Sequence, residues 1–347
     1  MLTAMSLKNF TVFSNSTFVF GRDLNVFIGE NGTGKSHVMK AAYASVWVSA
    51  KGEKESGSPI PTKTYLQGAL ARKFNGVFKP DELGRLTRRK VGRNRSEVLV
   101  QFDDSHYDIG FSFNTASKTE VTVEKLPGKW EEQIPAFLPT RELLTIYPGF
   151  VSLYETTDLP FDETWRDICL LLGAPLAKGA REKRIAELLK PLEDAMGGKV
   201  DLDNGRFYLV TDSGKMEMHL VAEGLRKLAM IARLIATGSL LDKGYLFWDE
   251  PEANLNPANI KKVAKTILQI AQNGIQVFIA THSLFLMREL HILQQTKEFK
   301  DLQSSYFGLT ISDDEIEVKQ GPSIDDIGNI ASLDEELLQS NRYMELV

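Results

Sequence analysis

The chain opens on short runs of β-branched and aromatic residues. Val19-Phe20 and Leu24-Asn25-Val26-Phe27-Ile28 read as strands, separated by a turn at Gly21-Arg22-Asp23. The second run is almost wholly apolar, which predicts a strand buried on both faces. After Lys35, residues Val38 to Ala44 predict a helix. Residues 51–62 are polar with Gly and Pro and predict a loop, and residues 64–90 predict a helical stretch that turns basic. From 96 to 124 the pattern alternates as antiparallel strands do, over 98–102, 107–113 and 120–124. Residues 161–197 predict mostly helix. Residues 199–220 return to strand, with Asp203-Asn204-Gly205 as a hairpin turn. From Val221 the order is helix, strand, helix, strand, helix, the βα alternation of an α/β protein with a mostly parallel sheet. The segment from Asp313 is acidic, with Lys319 and Arg342 its only bases; it is expected to cap the sheet with one or two strands and then become a mobile or partner-binding end. No internal repeat, low-complexity block or sustained heptad run is present.

With 347 residues the chain can bury a large core. Its 43% hydrophobic and 25% charged content are those of an ordinary globular protein, and a net charge of −5 favours no particular partner. A DNA-binding role would need a local basic surface, for which Arg85, Arg88, Arg89, Lys90, Arg93 and Arg95 are the candidates, against a solvated charged insertion as the alternative. The single cysteine, Cys169, lies in an apolar run and reads as a buried structural thiol in a reducing compartment. Lys8 follows the first apolar residues instead of preceding them, and no small-residue cleavage site follows. No apolar run approaches the roughly 18–20 residues that span a bilayer. The expectation is a soluble, cytoplasmic protein without a membrane partner.

Three motifs carry chemistry. Gly29-Glu30-Asn31-Gly32-Thr33-Gly34-Lys35-Ser36 fits G-x-x-x-x-G-K-[ST] and sits between the buried-type strand and a helix. Glycines let the backbone wrap around phosphates, so that successive N–H groups and the helix N-terminus face the anion. Lys35 is expected to reach the β- and γ-phosphates of ATP and Ser36 to bind Mg²⁺; His37 completes the candidate phosphate-binding set. Tyr245-Leu246-Phe247-Trp248-Asp249-Glu250-Pro251 is an apolar strand ending in two carboxylates. Neighbouring strand side chains diverge, so Asp249 is assigned to Mg²⁺ and Glu250 to the attacking water. Val277-Phe278-Ile279-Ala280-Thr281-His282-Ser283 is a further strand with a polar end. A neutral His282 there can hydrogen-bond a γ-phosphate or the attacking water. Lys35, Glu250 and His282 form the candidate catalytic set.

These residues resemble the ATP-binding-cassette ATPase class, and within it the branch of chromosome-maintenance proteins, RecF-type repair proteins and OLD-family ATPases. GENGTGKS, FWDEPEANLNP and IATHS carry the likeness, with Leu7-Lys8-Asn9-Phe10 at the start. It covers about residues 1–45 and 220–290. The resemblance implies a P-loop NTPase fold, with an antiparallel N-terminal β-subdomain and an inserted helical lobe. In this reading 51–95 is a basic helical insertion, 150–198 the helical lobe and 313–347 an acidic tail. It also implies a head-to-tail homodimer or higher oligomer, in which a signature helix binds the γ-phosphate held by the other subunit. Ala222, Gly224 and Arg226 occupy that position, with Lys227 beside them. Ala222 stands where Ser is usual, so binding there would rest on backbone N–H groups and on Arg226 or Lys227. Ala253-Asn254-Leu255-Asn256-Pro257 matches the segment that crosses the dimer seam. The family's Gln-bearing loop has no clear match: Gln133 precedes the strand, and Arg141 or Glu142 is the candidate replacement.

OLD-type nucleases continue into a metal-dependent cleavage domain after the His motif. Only 65 residues follow His282, so an effector (a nuclease or toxin-like protein) is expected to be a separate chain. The expected role is an ATPase sensor or regulator in anti-phage defence or DNA maintenance. The alternatives are a nucleotide-gated DNA clamp and a transporter ATPase subunit.

Overall fold

The computed structural model of the chain describes residues 1–88, 94–178, 182–241, 244–313, 315–328 and 331–346. In chain order the first half holds β1 (Leu2–Phe10), β2 (Phe13–Val19), β3 (Leu24–Gly29), α1 (Lys35–Ser56), α2 (Lys63–Phe78), β4 (Arg95–Phe102), β5 (Ile109–Asn114), β6 (Thr122–Lys125) and β7 (Pro135–Leu138). Next come α3 (Tyr147–Thr156), α4 (Glu163–Leu172), α5 (Glu182–Met196), β8 (Lys199–Asp203), β9 (Arg206–Thr211) and β10 (Gly214–Glu217). The last part holds α6 (Glu223–Ala236), β11 (Tyr245–Asp249), α7 (Pro257–Gln272), β12 (Gln276–Thr281), α8 (Leu284–Gln294), β13 (Ser304–Ser312), β14 (Glu315–Gly321) and α9 (Ala331–Met344).

The central sheet has the order β14-β13-β3-β12-β11-β7, parallel except for β14. Its strands are near-continuous apolar runs because both faces are covered. One face carries a ladder of aligned phenylalanines: Phe247 pairs with Phe278 and Phe137, and Phe307 with Phe27. The Phe247 and Phe278 rings stack at 4.6 Å and those of Phe27 and Phe307 at 4.7 Å. This face packs on α1, α2 and the antiparallel sheet β2-β1-β4-β5-β6. The opposite face, with Leu246, Trp248, Val277 and Ile279, packs on α4 to α8. The α/β architecture, the antiparallel N-terminal sheet and the inserted helical lobe therefore match expectation. Asn204 and Gly205 both take positive φ in the β8–β9 hairpin, as a tight hairpin turn of this kind requires.

Two local readings are corrected. Residues 51–56 are not loop but the end of α1. The helix continues through Gly52 because Trp130 lies against that turn, where its ring would be 2.2 Å from a Cβ. The helical stretch expected to 90 ends at Phe78, where Lys79 turns left-handed ahead of Pro80. The acidic segment caps the sheet with one strand, β14, as expected; its neighbour β13 starts at Ser304, ahead of that segment, and runs parallel to β3. Cys169 is fully buried, and burial pushes its thiol up to about 12, so it is an inert core residue. Among the described residues no helix is long and apolar enough to cross a membrane.

Candidate functional site

The phosphate-type loop connects β3 to α1. β3 is buried along its whole length and delivers the chain at a fixed point. Gly32 and Gly34 then take φ of 84° and 91°, the left-handed region where glycine is favoured. Gly34 also lies close against the β1–β2 turn: a Cβ there would lie 2.6 Å from Val12. Thr33 is buried and donates its hydroxyl to the Glu30 carbonyl at 2.9 Å, closing the turn. Asn31 and Gly32 are exposed at the tip. Lys35 folds back into the loop, donating to the carbonyls of Gly29 at 2.7 Å and Glu30 at 2.8 Å. Burial lowers its pKa, opposed by Glu250 and Asp249, which are the strongest charges facing it.

Asp249 ends β11 and accepts a hydrogen bond from the Ser36 side chain; burial pushes its carboxyl up. Magnesium bound beside nucleotide needs only one or two protein oxygens, the rest coming from phosphate and water. A partly buried carboxylate joined to a hydroxyl at the cradle's mouth fits that requirement. His37 is held neutral, its pKa pushed down to about 4 by burial and by Lys40, with its ring against Phe78. It can offer a phosphate its backbone N–H but no charge.

Glu250 diverges from Asp249, though not for the expected reason. β11 stops at Asp249, and Glu250 takes a φ of 46°, with its N–H donated to the Ala280 carbonyl at 2.9 Å. That left-handed step swings its carboxylate towards β12, where Oε1 lies 3.3 Å from His282 Nδ1. Lys35, Ser36, Asp249, Glu250 and His282 thus meet at the C-terminal ends of β3, β11 and β12, where α/β sheets bind ligands.

The helix expected to reach across a dimer begins near this centre. Ala222 is the N-cap of α6, makes no side-chain cap and is exposed with Glu223. At Gly224 a Cβ would lie 2.8 Å from the Asn254 carbonyl, so glycine lets α6 pack on the 253–256 segment. Arg226 Nε sits 2.9 Å from Glu142 Oε1, an ion pair not aligned as a hydrogen bond. Lys227 does not belong to that exposed surface. It is 2% exposed and donates to the Glu250 carbonyl at 2.6 Å, and burial lowers its pKa to about 8. Its side chain turns inward against the turn after β11, which the sequence pattern of two adjacent bases did not reveal.

Of the two candidates for the missing Gln, Glu142 is buried and committed to Arg226 and to the turn at Leu144 and Thr145. Arg141 is exposed. Gln133 lies before the start of β7, at the end of the sheet away from the phosphate loop. In the basic segment Arg88 pairs with Glu315 at 2.6 Å and Arg95 with Glu124 at 2.5 Å. Arg89, Lys90 and Arg93 lie outside the described residues. Glu252 was not anticipated. It is 6% exposed, two residues beyond Glu250, and accepts the Thr281 hydroxyl at 2.5 Å. Its signal was the third acid in Asp249-Glu250-Pro251-Glu252, following directly on the apolar strand.

The fold and this arrangement define a P-loop nucleotide-binding domain. The chain belongs to the family described as "AAA domain, putative AbiEii toxin, Type IV TA system", whose model matches residues 24–288. The Old nuclease of Escherichia phage P2 is 32% identical over 68 residues, 20% of this chain and 12% of that protein. The matched stretch is thus a small part of that relative's length. An SMC head bound to the C-winged helix domain of ScpA superposes with a TM-score of 0.55 at 14% identity, over 93% of this chain and 98% of that one. The SMC head domain from Thermotoga maritima gives 0.48 at 15% identity, over the same shares.

Proposed function

We propose that the chain binds ATP with Mg²⁺ in the Gly29–Ser36 cradle and hydrolyses it, with Glu250 activating the attacking water. The observation that carries this reading is the Glu250–His282 pair at 3.3 Å, beside Lys35 and Asp249. Glu250 has one carboxylate oxygen near an imidazole and a side chain a quarter exposed, so water can reach it. Lys35 leaves the loop carbonyls to meet phosphate oxygens, and His282 stabilises charge on the γ-phosphate. Mg²⁺, when bound through Ser36 and Asp249, neutralises charge on the phosphate oxygens. The exposed start of α6, with Gly224 and Arg226, completes the site of a second copy. Leu220, 73% exposed just before it, supports a contact surface there.

We place this ATPase as a sensor or regulator that acts with a separate effector in anti-phage defence or DNA maintenance. The family description names a toxin of a type IV TA system, and the Old nuclease is a phage protein. Both support the defence setting over a DNA clamp, for which Arg88 and Arg95 offer little because both are ion-paired. The test is Glu250→Gln. Turnover should fall on the order of a hundredfold or more while ATP binding persists. The variant should also form an ATP-dependent dimer by light scattering. Wild-type turnover would refute the role of Glu250, and a monomer with bound ATP would refute the shared site.

A further inference from the structure

The chemistry proposed above uses Glu250 and His282 but leaves a second buried carboxylate beside them without a task. Glu252 follows Pro251 in the turn after β11, and that turn is closed by Ala253 N–H donating to the Glu250 carbonyl and Leu255 N–H to that of Glu252. The side chain runs inward under β12. One oxygen takes the Thr281 hydroxyl at 2.5 Å; the other is buried with no hydrogen-bond partner. A buried carboxylate with an orphaned oxygen is unfavourable for stability, so its placement asks for another reason.

Thr281 supplies that reason. It is fully buried at the end of β12, and its hydroxyl, besides donating to Glu252, accepts the Ser283 N–H at 3.0 Å. Ser283 in turn caps α8 through the Leu286 N–H at 3.2 Å. The residue between these two anchors is His282. Its side chain is half exposed, and its Nδ1 lies 3.3 Å from Glu250 Oε1. The backbone on either side is its support.

We infer that Glu252 is a positioning residue for His282, acting through the Thr281 hydroxyl. Glu252 cannot reach the reacting phosphate itself, because it lies inside the core beneath the two strand ends. Its carboxylate orients the hydroxyl, the hydroxyl holds the Ser283 amide, and the three-residue step 281–283 then presents the imidazole to Glu250. Lys227 works on the other side of the same turn, where its ammonium holds the Glu250 and Ala253 carbonyls at 2.6 and 3.4 Å.

This inference rests on His282 acting in hydrolysis, and a double-mutant cycle on the full chain separates the two. Steady-state ATP turnover is measured for Glu252→Ala, His282→Ala and the double variant, with ATP affinity measured by nucleotide titration. Glu252→Ala should lower kcat on the order of ten- to a hundredfold, the scale of a misplaced catalytic group, with ATP affinity unchanged. In the His282→Ala background it should have no further effect. Thr281→Val should reproduce the loss and Thr281→Ser should restore turnover, which keeps the test intact if Glu252→Ala does not fold. If His282→Ala leaves kcat unchanged, the role of His282 itself fails. If His282→Ala lowers kcat while Glu252→Ala does not, or the two losses multiply, positioning by Glu252 is overturned and the ATPase reading stands.

Discussion

Gly52 sits in the fifth turn of the helix that starts with Lys35 and Ser36, and replacing it by alanine should reverse the usual effect of that substitution. In an open helix, Gly→Ala stabilises by about 1 kcal/mol through backbone entropy and propensity. Here a Cβ would lie 2.2, 2.4 and 2.6 Å from three ring carbons of Trp130. Carbon contacts settle at about 3.5–4.0 Å, so the ring must retreat by roughly an ångström. Retreat is resisted: the indole is buried, packs edge-on against Tyr65 at 5.6 Å and donates to the Ser58 carbonyl at 2.8 Å. Overpacking of this kind costs about 1–3 kcal/mol, and losing the indole hydrogen bond about 1 kcal/mol more. After the propensity gain is subtracted, Gly52→Ala should destabilise by about 1–3 kcal/mol. Equilibrium urea unfolding should show a lower midpoint at unchanged slope. In a Trp130→Ala background the clash is gone, and the same substitution should stabilise by about 1 kcal/mol. If Gly52→Ala raises the midpoint in the wild-type background, the account of why α1 continues past residue 50 is refuted.

Lys73 is 2% exposed, bridges Glu163 at 3.0 Å and Asp167 at 2.7 Å, and lies over the Trp47 ring at 3.7 Å. Lys73→Met leaves those carboxylates without their main cation and should cost about 3 kcal/mol in urea unfolding; a change within experimental error would show that α4 is anchored to α2 by other contacts. Lys227 has a folded pKa of about 8 against an ordinary 10.5, because burial disfavours its charge. Between those pH values the unfolded chain holds a proton that the folded chain has shed, so the contribution of this lysine to stability rises with pH, by at most about 3 kcal/mol. The stability of wild type relative to Lys227→Met should therefore improve as pH goes from 8 to 10, and a constant difference would mean that Lys227 is not desolvated.

The part of this protein legible in the sequence is the part decided by short-range physics. A left-handed backbone at Gly32 and Gly34 demands glycine, a strand buried on both faces demands an unbroken apolar run, and a chain leaving a sheet towards solvent can end in acids. The cradle, Asp249, Glu250 and His282 could therefore be placed from local pattern, as could the parallel sheet and the Asn204-Gly205 hairpin. What only the tertiary structure decided are the contacts made across long stretches of chain. Nothing near Gly52 announces Trp130, so a helix with a polar, glycine-containing end read as a loop. Lys227 and Arg226 are adjacent bases in sequence, yet helical geometry turns one into the core and the other towards Glu142. Glu252 and Thr281 are 29 positions apart, and Lys227 and Glu250 are 23 apart. Hydrogen bonds between such residues depend on how β11, β12 and α6 are stacked, and stacking is set by the summed burial of their apolar faces. The residues proposed to touch nucleotide follow a local code; those that hold them in place follow the packing of the core.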